Sequence, residues 1–278
     1  MKSDEHPPFG AFLPPQWLSR GIHRRNTHSN PIIRYLNKKL VIRFLKFVSR
    51  PFDVEVDGVK LRLYPKDNLH DRTAMLSGKS TDRDWYDPLF GPIGEGGTFV
   101  DIGANVGFFS VFAFARGIQN LKIVPVEPHP VMRDRLEANL ALNSANDVRV
   151  EAAAVGPELT TMTLHQPSKN NFGVTTLHAD GAEHSRADFQ VQVKPLTTIL
   201  AEHDIRSIDL LKIDIEGYED RALVPFFESA ERSLWPQSVF IEHESEHRWE
   251  VNVLETMIQK GYELVQQDER NALLRLTN

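Results

Sequence analysis

From residue 98 onward, short apolar runs alternate with amphipathic stretches, and this alternation limits what the chain can fold into more than any other feature. The apolar runs at 98–102, 122–127, 148–154, 209–215 and 238–243 read as strands. Between and after them, 107–116, 130–143, 197–204, 219–229 and 250–260 read as helices. The segment "YELVQQDERNALLRL" (262–276) reads as two strands around a polar turn. Such alternation predicts an α/β fold: a doubly wound, mostly parallel sheet, covered by helices on both faces, with an antiparallel strand added at one edge. A polar insertion at 157–196 interrupts the pattern.

Before residue 98 the pattern differs, and a division into an extension (1–90) and a ligand-binding domain (91–278) is expected. Residues 1–29 read as an irregular, Pro- and His-rich lead. Residues 30–50 read as one helix that Asn30 caps, Pro31 opens and Pro51 stops. "FDVEVDGVKLRLYP" (52–65) alternates apolar and polar residues around Asp57-Gly58, a hairpin signal.

Charge sharpens the contrast. Residues 20–50 hold nine Lys and Arg and no acid, so the rest of the chain carries −15 of a net −6. On the helix, Ile33, Leu36, Leu40, Phe44 and Phe47 share one face, and Lys39, Arg43, Lys46 and Arg50 another. The apolar face is expected to dock on the rest of the chain or on a second subunit, as a homo-oligomer would require. A peripheral membrane contact through residues 30–50 is the alternative. Nucleic-acid binding is not expected, because the acidic remainder would be repelled. The chain has no Cys, which excludes disulfides, a catalytic thiol and thiolate metal sites. With no apolar run near ~18 residues and no apolar core of a signal peptide at the N-terminus, a cytoplasmic, at most membrane-associated, location is expected.

In a doubly wound sheet, ligands bind beyond the carboxyl ends of the strands. "TFVDIGANVGFFS" ends the first strand of the alternation with Asp101, Gly103, Asn105 and Gly107. These glycines permit a close backbone approach, but their spacing is not the G-x-G-x-x-G of dinucleotide binders, nor a phosphate loop. Glu127 ends the second strand, where an acid can accept hydrogen bonds from both hydroxyls of a ribose. Nicotinamide-dependent oxidoreductases share that feature. On the fourth strand, "IDLLKIDIEGYED" places Lys212, Asp214 and Glu216 in an otherwise apolar segment, where buried charge calls for partners or a function.

"FVDIGANVGFFS", "VEPHP", "LLKIDIEGYE" and "VFIEHE", in this order, resemble the FkbM-type family of S-adenosylmethionine-dependent methyltransferases over roughly residues 95–245. The resemblance implies a seven-stranded class I methyltransferase sheet and O-methylation of a hydroxyl on a sugar, polyketide, lipid or related secondary metabolite. It implies that Asp101, Gly103, Asn105 and Gly107 surround the methionine end of the cofactor. Glu127 would hold the ribose, and Ala153 and Ala154 would border the adenine. A nicotinamide-dependent oxidoreductase and a non-catalytic protein retaining the fold are the rival readings.

An aliphatic hydroxyl needs a positioned base or a metal to become a nucleophile. Strand ends four and five supply Asp214, Glu216, Glu242, His243 and Glu244, with Lys212 nearby. Asp214 and His243 are the expected bases, with Lys212 and Glu216 in support. Asp214 and Glu242 could instead hold Mg2+. Asn170, Asn171 and His178 in the insertion, and His247 and Trp249 past the fifth strand, are candidates for the acceptor's surroundings.

Overall fold

The computed structural model describes residues 6–27, 29–166, 175–178 and 185–277. Two helices, α1 (Gln16–Thr27) and α2 (Pro31–Phe47), lead the chain and pack on each other. The Asn30 side chain accepts the Ile32 amide at 2.9 Å, capping α2 as its sequence predicts. β1 (Phe52–Val56) and β2 (Val59–Leu63) form the expected hairpin. Its turn residues Asp57 and Gly58 both take positive φ, 48° and 85°, the conformation this short hairpin needs. Helices α3 (Leu69–Ser77) and α4 (Arg83–Phe90) follow.

Then the alternation begins: β3 (Thr98–Ile102), α5 (Phe108–Ala115), β4 (Lys122–Val126) and α6 (Pro130–Leu142). After β5 (Ala153–Val155) come β6 (Thr160–Gln166), β7 (Ala187–Lys194) and α7 (Leu196–Glu202). β8 (Leu210–Ile213), α8 (Glu219–Ser229), β9 (Ser238–Glu242), α9 (Val253–Gln259), β10 (Tyr262–Gln267) and β11 (Asn271–Leu276) complete the chain.

The main sheet has the order β10-β11-β9-β8-β3-β4. β9, β8, β3 and β4 run parallel, and β11 joins β9 antiparallel. This corrects the expected count of seven: among the described residues the sheet is six-stranded and mixed. The segment expected as its third strand, 148–154, touches β4 only at a single bridge between Val126 and Glu151. Pro125 ends the ladder on the side before this bridge. Its carbonyl accepts the Glu151 amide at 2.8 Å, so its ring nitrogen faces the same outer edge and has no hydrogen to give. The chain leaves the edge there and, as β5, pairs with β7 in a separate three-stranded sheet of order β5-β7-β6. The described parts of the insertion at 157–196 are therefore largely strand.

One apolar cluster joins Leu45, Phe52, Leu61 and Phe90 to Phe99, Leu136 and Phe240, so the N-terminal elements pack against one face of the main sheet. The other face is covered by α7, α8 and α9 through Leu200, Leu223, Phe226 and Met257. The expectation that the apolar face of α2 docks on the rest of the chain is not met. Its buried residues are Val41 and Leu45, while Ile33, Leu36, Leu40 and Phe47 point to solvent. Among the described residues no helix is long and apolar enough to cross a membrane.

Candidate active site

β3 is the point at which strand order reverses, with β4 on one side and β8 on the other. The loops leaving β3 and β8 therefore open a crevice at the carboxyl edge of the sheet. Gly103 takes φ 72°, and a Cβ there would sit 2.0 Å from the Asp214 carbonyl oxygen. Only glycine lets the two strand ends approach so closely. Asn105, also at positive φ, accepts a hydrogen bond from Asn68 Nδ2 at 3.1 Å, tying the start of α3 to this loop.

Glu127 closes one side of the crevice. Its Oε2 accepts the Asn105 amide at 2.8 Å, and its Oε1 accepts the His129 amide, also at 2.8 Å. Each oxygen keeps a lone-pair site for a ligand hydroxyl. Burial, against the two amide hydrogen bonds, pushes its carboxyl up to about 7.

Beyond β8 the chain turns sharply, with Glu216 at φ 58° and Gly217 at φ 94°. Glu219 holds this turn together. It is fully buried, and its Oε1 accepts the Ile215 amide at 2.8 Å and the Gly217 amide at 3.3 Å. Its Oε2 accepts Trp249 Nε1 at 2.7 Å. The second glutamate of "IDIEGYED" is thus a clamp on the loop, while the first, Glu216, borders the cavity.

The crevice encloses a cavity of about 650 Å³, within the usual ~300–1,000 Å³ for small-molecule and cofactor sites. Of the expected site residues, Gly103, Asn105, Glu127, Ala153, Ala154, Asp214, Glu216 and Glu242 line it, as does His247. Asp214, Glu216, Glu242 and Glu244 converge at one end, with Arg270 beside them. Arg270 donates to Glu244 at 2.8 Å. Glu242 is 5% exposed. Its Oε1 accepts the Glu244 amide at 2.7 Å, while its Oε2 has no hydrogen-bond partner among the described residues. Burial and then the Asp214 charge push both Glu242 and Glu216 up to about 8. A site so arranged keeps a proton among crowded carboxylates and presents a free acceptor oxygen.

Other expected residues lie elsewhere. Asp101 is fully buried behind the loop, accepting Ser110 Oγ at 2.6 Å and lying 3.4 Å from Lys212 Nζ. Gly107 begins α5 against Leu136, which a Cβ would strike at 2.4 Å, so it serves packing. Lys212 fastens backbone: its Nζ donates to the Gly103 carbonyl at 2.7 Å. His243 is turned away from the cavity and pairs with Gln267 at 3.2 Å between ring and amide nitrogens. His178 bonds the Gly217 carbonyl at 2.7 Å, and Trp249 packs on the second core. Asn170 and Asn171 lie outside the described residues. The expected Mg2+ is not supported by the donor set: among the described residues no group of three or more His, Asp or Glu is disposed to hold a metal ion.

Arg270, His70, Tyr218 and Leu164 also line the cavity and were not anticipated. The period-two alternation of "TTMTLHQ" was the available signal for Leu164; Arg270 is brought in only by the β10–β11 hairpin.

A family model described as the methyltransferase FkbM domain matches residues 101–265. The chain is 31% identical over 147 residues to the methyltransferase sdnD of Sordaria araneosa, covering 43% of this chain and 56% of that one. It thus spans little more than half the length of this relative. A solved FkbM methyltransferase from Methylobacillus flagellatus KT aligns with TM-score 0.44 and 13% identity, over 88% of this chain and 59% of that one. TYW2 of M. jannaschii, solved with AdoMet, aligns with TM-score 0.40 and 13% identity, over 83% of this chain and 88% of that one.

Proposed function

The chain belongs to the FkbM methyltransferase family, and from that premise we propose that it transfers a methyl group from S-adenosylmethionine to a hydroxyl of a sugar, polyketide, lipid or related secondary metabolite. One observation carries this reading: a single cavity holds both a strand-end carboxylate with open lone pairs, Glu127, and a buried carboxylate oxygen without a partner among the described residues, Glu242 Oε2. Glu127 holds the ribose hydroxyls. Ala154, Leu164 and Leu177 form an apolar wall suited to the adenine ring. The Gly103 to Asn105 loop, fixed from behind by Lys212 and Glu127, borders the methionine end.

The chemistry supplied by the cofactor is an electrophilic methyl on a sulfonium, with a neutral thioether as leaving group. What the protein must add is position and a proton acceptor. Glu242 would take the acceptor's hydroxyl proton on Oε2, leaving the hydroxyl oxygen free to receive that methyl. Asp214 and Glu219 raise its basicity by like-charge repulsion, and Arg270 pairs with Glu244 beside it. His243 faces Gln267, so the role first expected of it passes to Glu242.

Thermal unfolding with S-adenosylhomocysteine or NAD tests the cofactor reading. S-adenosylhomocysteine should raise the melting temperature and NAD should not; a shift with NAD alone would reinstate the oxidoreductase reading.

A further inference from the structure

The outward face of α2 is apolar where a solvated helix would be polar. Ile32, Leu40 and Phe47 are 66%, 67% and 75% exposed. At 100° per residue, Leu36, Leu40 and Phe47 fall within about 40° of one another, opposite the buried Val41 and Leu45. Trp17 of α1, itself more than half exposed, packs edge-to-face on Phe44 with ring centroids 4.7 Å apart, and extends the patch. Lys39, Arg43 and Lys46 lie along one margin of the stripe, all exposed. No acid occurs between residues 20 and 50.

We propose that this α1–α2 face docks the protein on an anionic membrane surface. Apolar side chains would enter the boundary between headgroups and acyl chains, and the long basic side chains beside them would reach lipid phosphates. Charge decides between occupants. A second copy of the chain would bring an identical basic face against this one, and like charges across an interface repel. An anionic bilayer complements both the apolar stripe and its basic margin. The acidic remainder of the chain would be held off the same surface, which fixes the orientation. Helix α3 packs on α1 and supplies Leu69 and His70 to the cavity wall, so one helix links the docking face to the cavity. The docking itself does not depend on the methyl-transfer reading.

Cosedimentation of the full chain with phosphatidylcholine vesicles, with and without phosphatidylglycerol, tests the proposal. Sedimentation should require the anionic lipid and weaken at high salt. The double variant Leu40→Glu/Phe47→Glu, altered only at exposed positions, should stay in the supernatant with an unchanged melting temperature. Lys39→Ala and Lys46→Ala should each lower partitioning on the order of fivefold, the effect of one basic residue near an anionic surface. No sedimentation with either vesicle would overturn the proposal. So would equal sedimentation of the double variant, or a solution dimer that this variant splits, which would assign the face to a second copy.

Discussion

Lys212 reaches from β8 to the glycine loop after β3, donating its Nζ to the Gly103 carbonyl at 2.7 Å while lying 3.4 Å from the carboxylate of Asp101. The ammonium is buried, so it locks two strand ends together where their separation sets the width of the crevice. Burial alone would lower its pKa, but Asp101 and Asp214 outweigh that and hold it above the ordinary lysine value. Lys212→Met should therefore act on stability first. It leaves Asp101 charged and uncompensated in the interior, a change that costs about 3–5 kcal/mol. Urea unfolding reads it directly. A variant as stable as the parent but inactive would return Lys212 to the chemistry.

Glu127 accepts two backbone amides and is the proposed partner of the ribose, and variants separate these roles. Glu127→Ala removes the acceptor of the Asn105 and His129 amides as well as the proposed ribose partner. Its affinity for S-adenosylhomocysteine should fall by about 1.5–3 kcal/mol for each charged hydrogen bond lost. Glu127→Gln keeps one acceptor oxygen and should fall less. Titration calorimetry orders the three proteins; equal affinities in folded variants would remove the ribose assignment.

Much of this site was visible in the residue order, and the exceptions have physical reasons. Gly103, Asn105 and Glu127 stand at strand ends, and strand ends follow from apolar runs. Lys212 and Asp101 were visible as anomalous charges, but whether such a charge faces a ligand or a neighbouring strand depends on register, and here they face each other's strands. The expected seventh strand fails because 148–154 is apolar enough for a strand, while the lost ladder depends on which edge Pro125 presents. The alternation Phe189, Val191, Val193 against polar neighbours carried the signal for β7, hidden by the polar residues around it. Arg270 was beyond reach: a turn residue gains its role from β11 pairing with β9.

Crowding of carboxylates in the cavity should make the protein less stable as pH rises. Burial first, then Asp214 and Glu219, push Glu242 up to about 8 from an ordinary 4.5. Between these values the folded chain keeps a proton that the unfolded chain has released, so stability declines with rising pH and levels off above about 8. Glu127, pushed up to about 7 mainly by burial, acts in the same direction. Glu242→Gln, which needs no proton, should flatten the slope. Melting temperatures from pH 5 to 9, taken without cofactor, test this; parallel curves for the two proteins would mean that Glu242 does not hold the proton.

The same proton should appear in catalysis with opposite sign. As a base, Glu242 works only after losing it, so kcat/KM should rise with pH to a limb near 8. The limb's apparent pKa belongs to Glu242 and Glu216 together, because each repels the other's charge. Three variants divide their roles. Glu242→Gln removes the acceptor oxygen and should lower kcat by about 10²–10⁴, the usual contribution of a positioned base. Asp214→Asn removes a negative neighbour, so Glu242 releases its proton more readily and the limb moves to lower pH. Its plateau activity should fall modestly, because a less basic carboxylate is a weaker acceptor. Glu216→Gln removes the second titrating carboxyl, which the Glu242 charge pushes up, and should leave a limb that Glu242 alone sets. A Glu242→Gln enzyme with the parent's rate and limb would exclude Glu242 as the base. A limb that stays in place in Asp214→Asn would show that the titrating group lies outside this cluster.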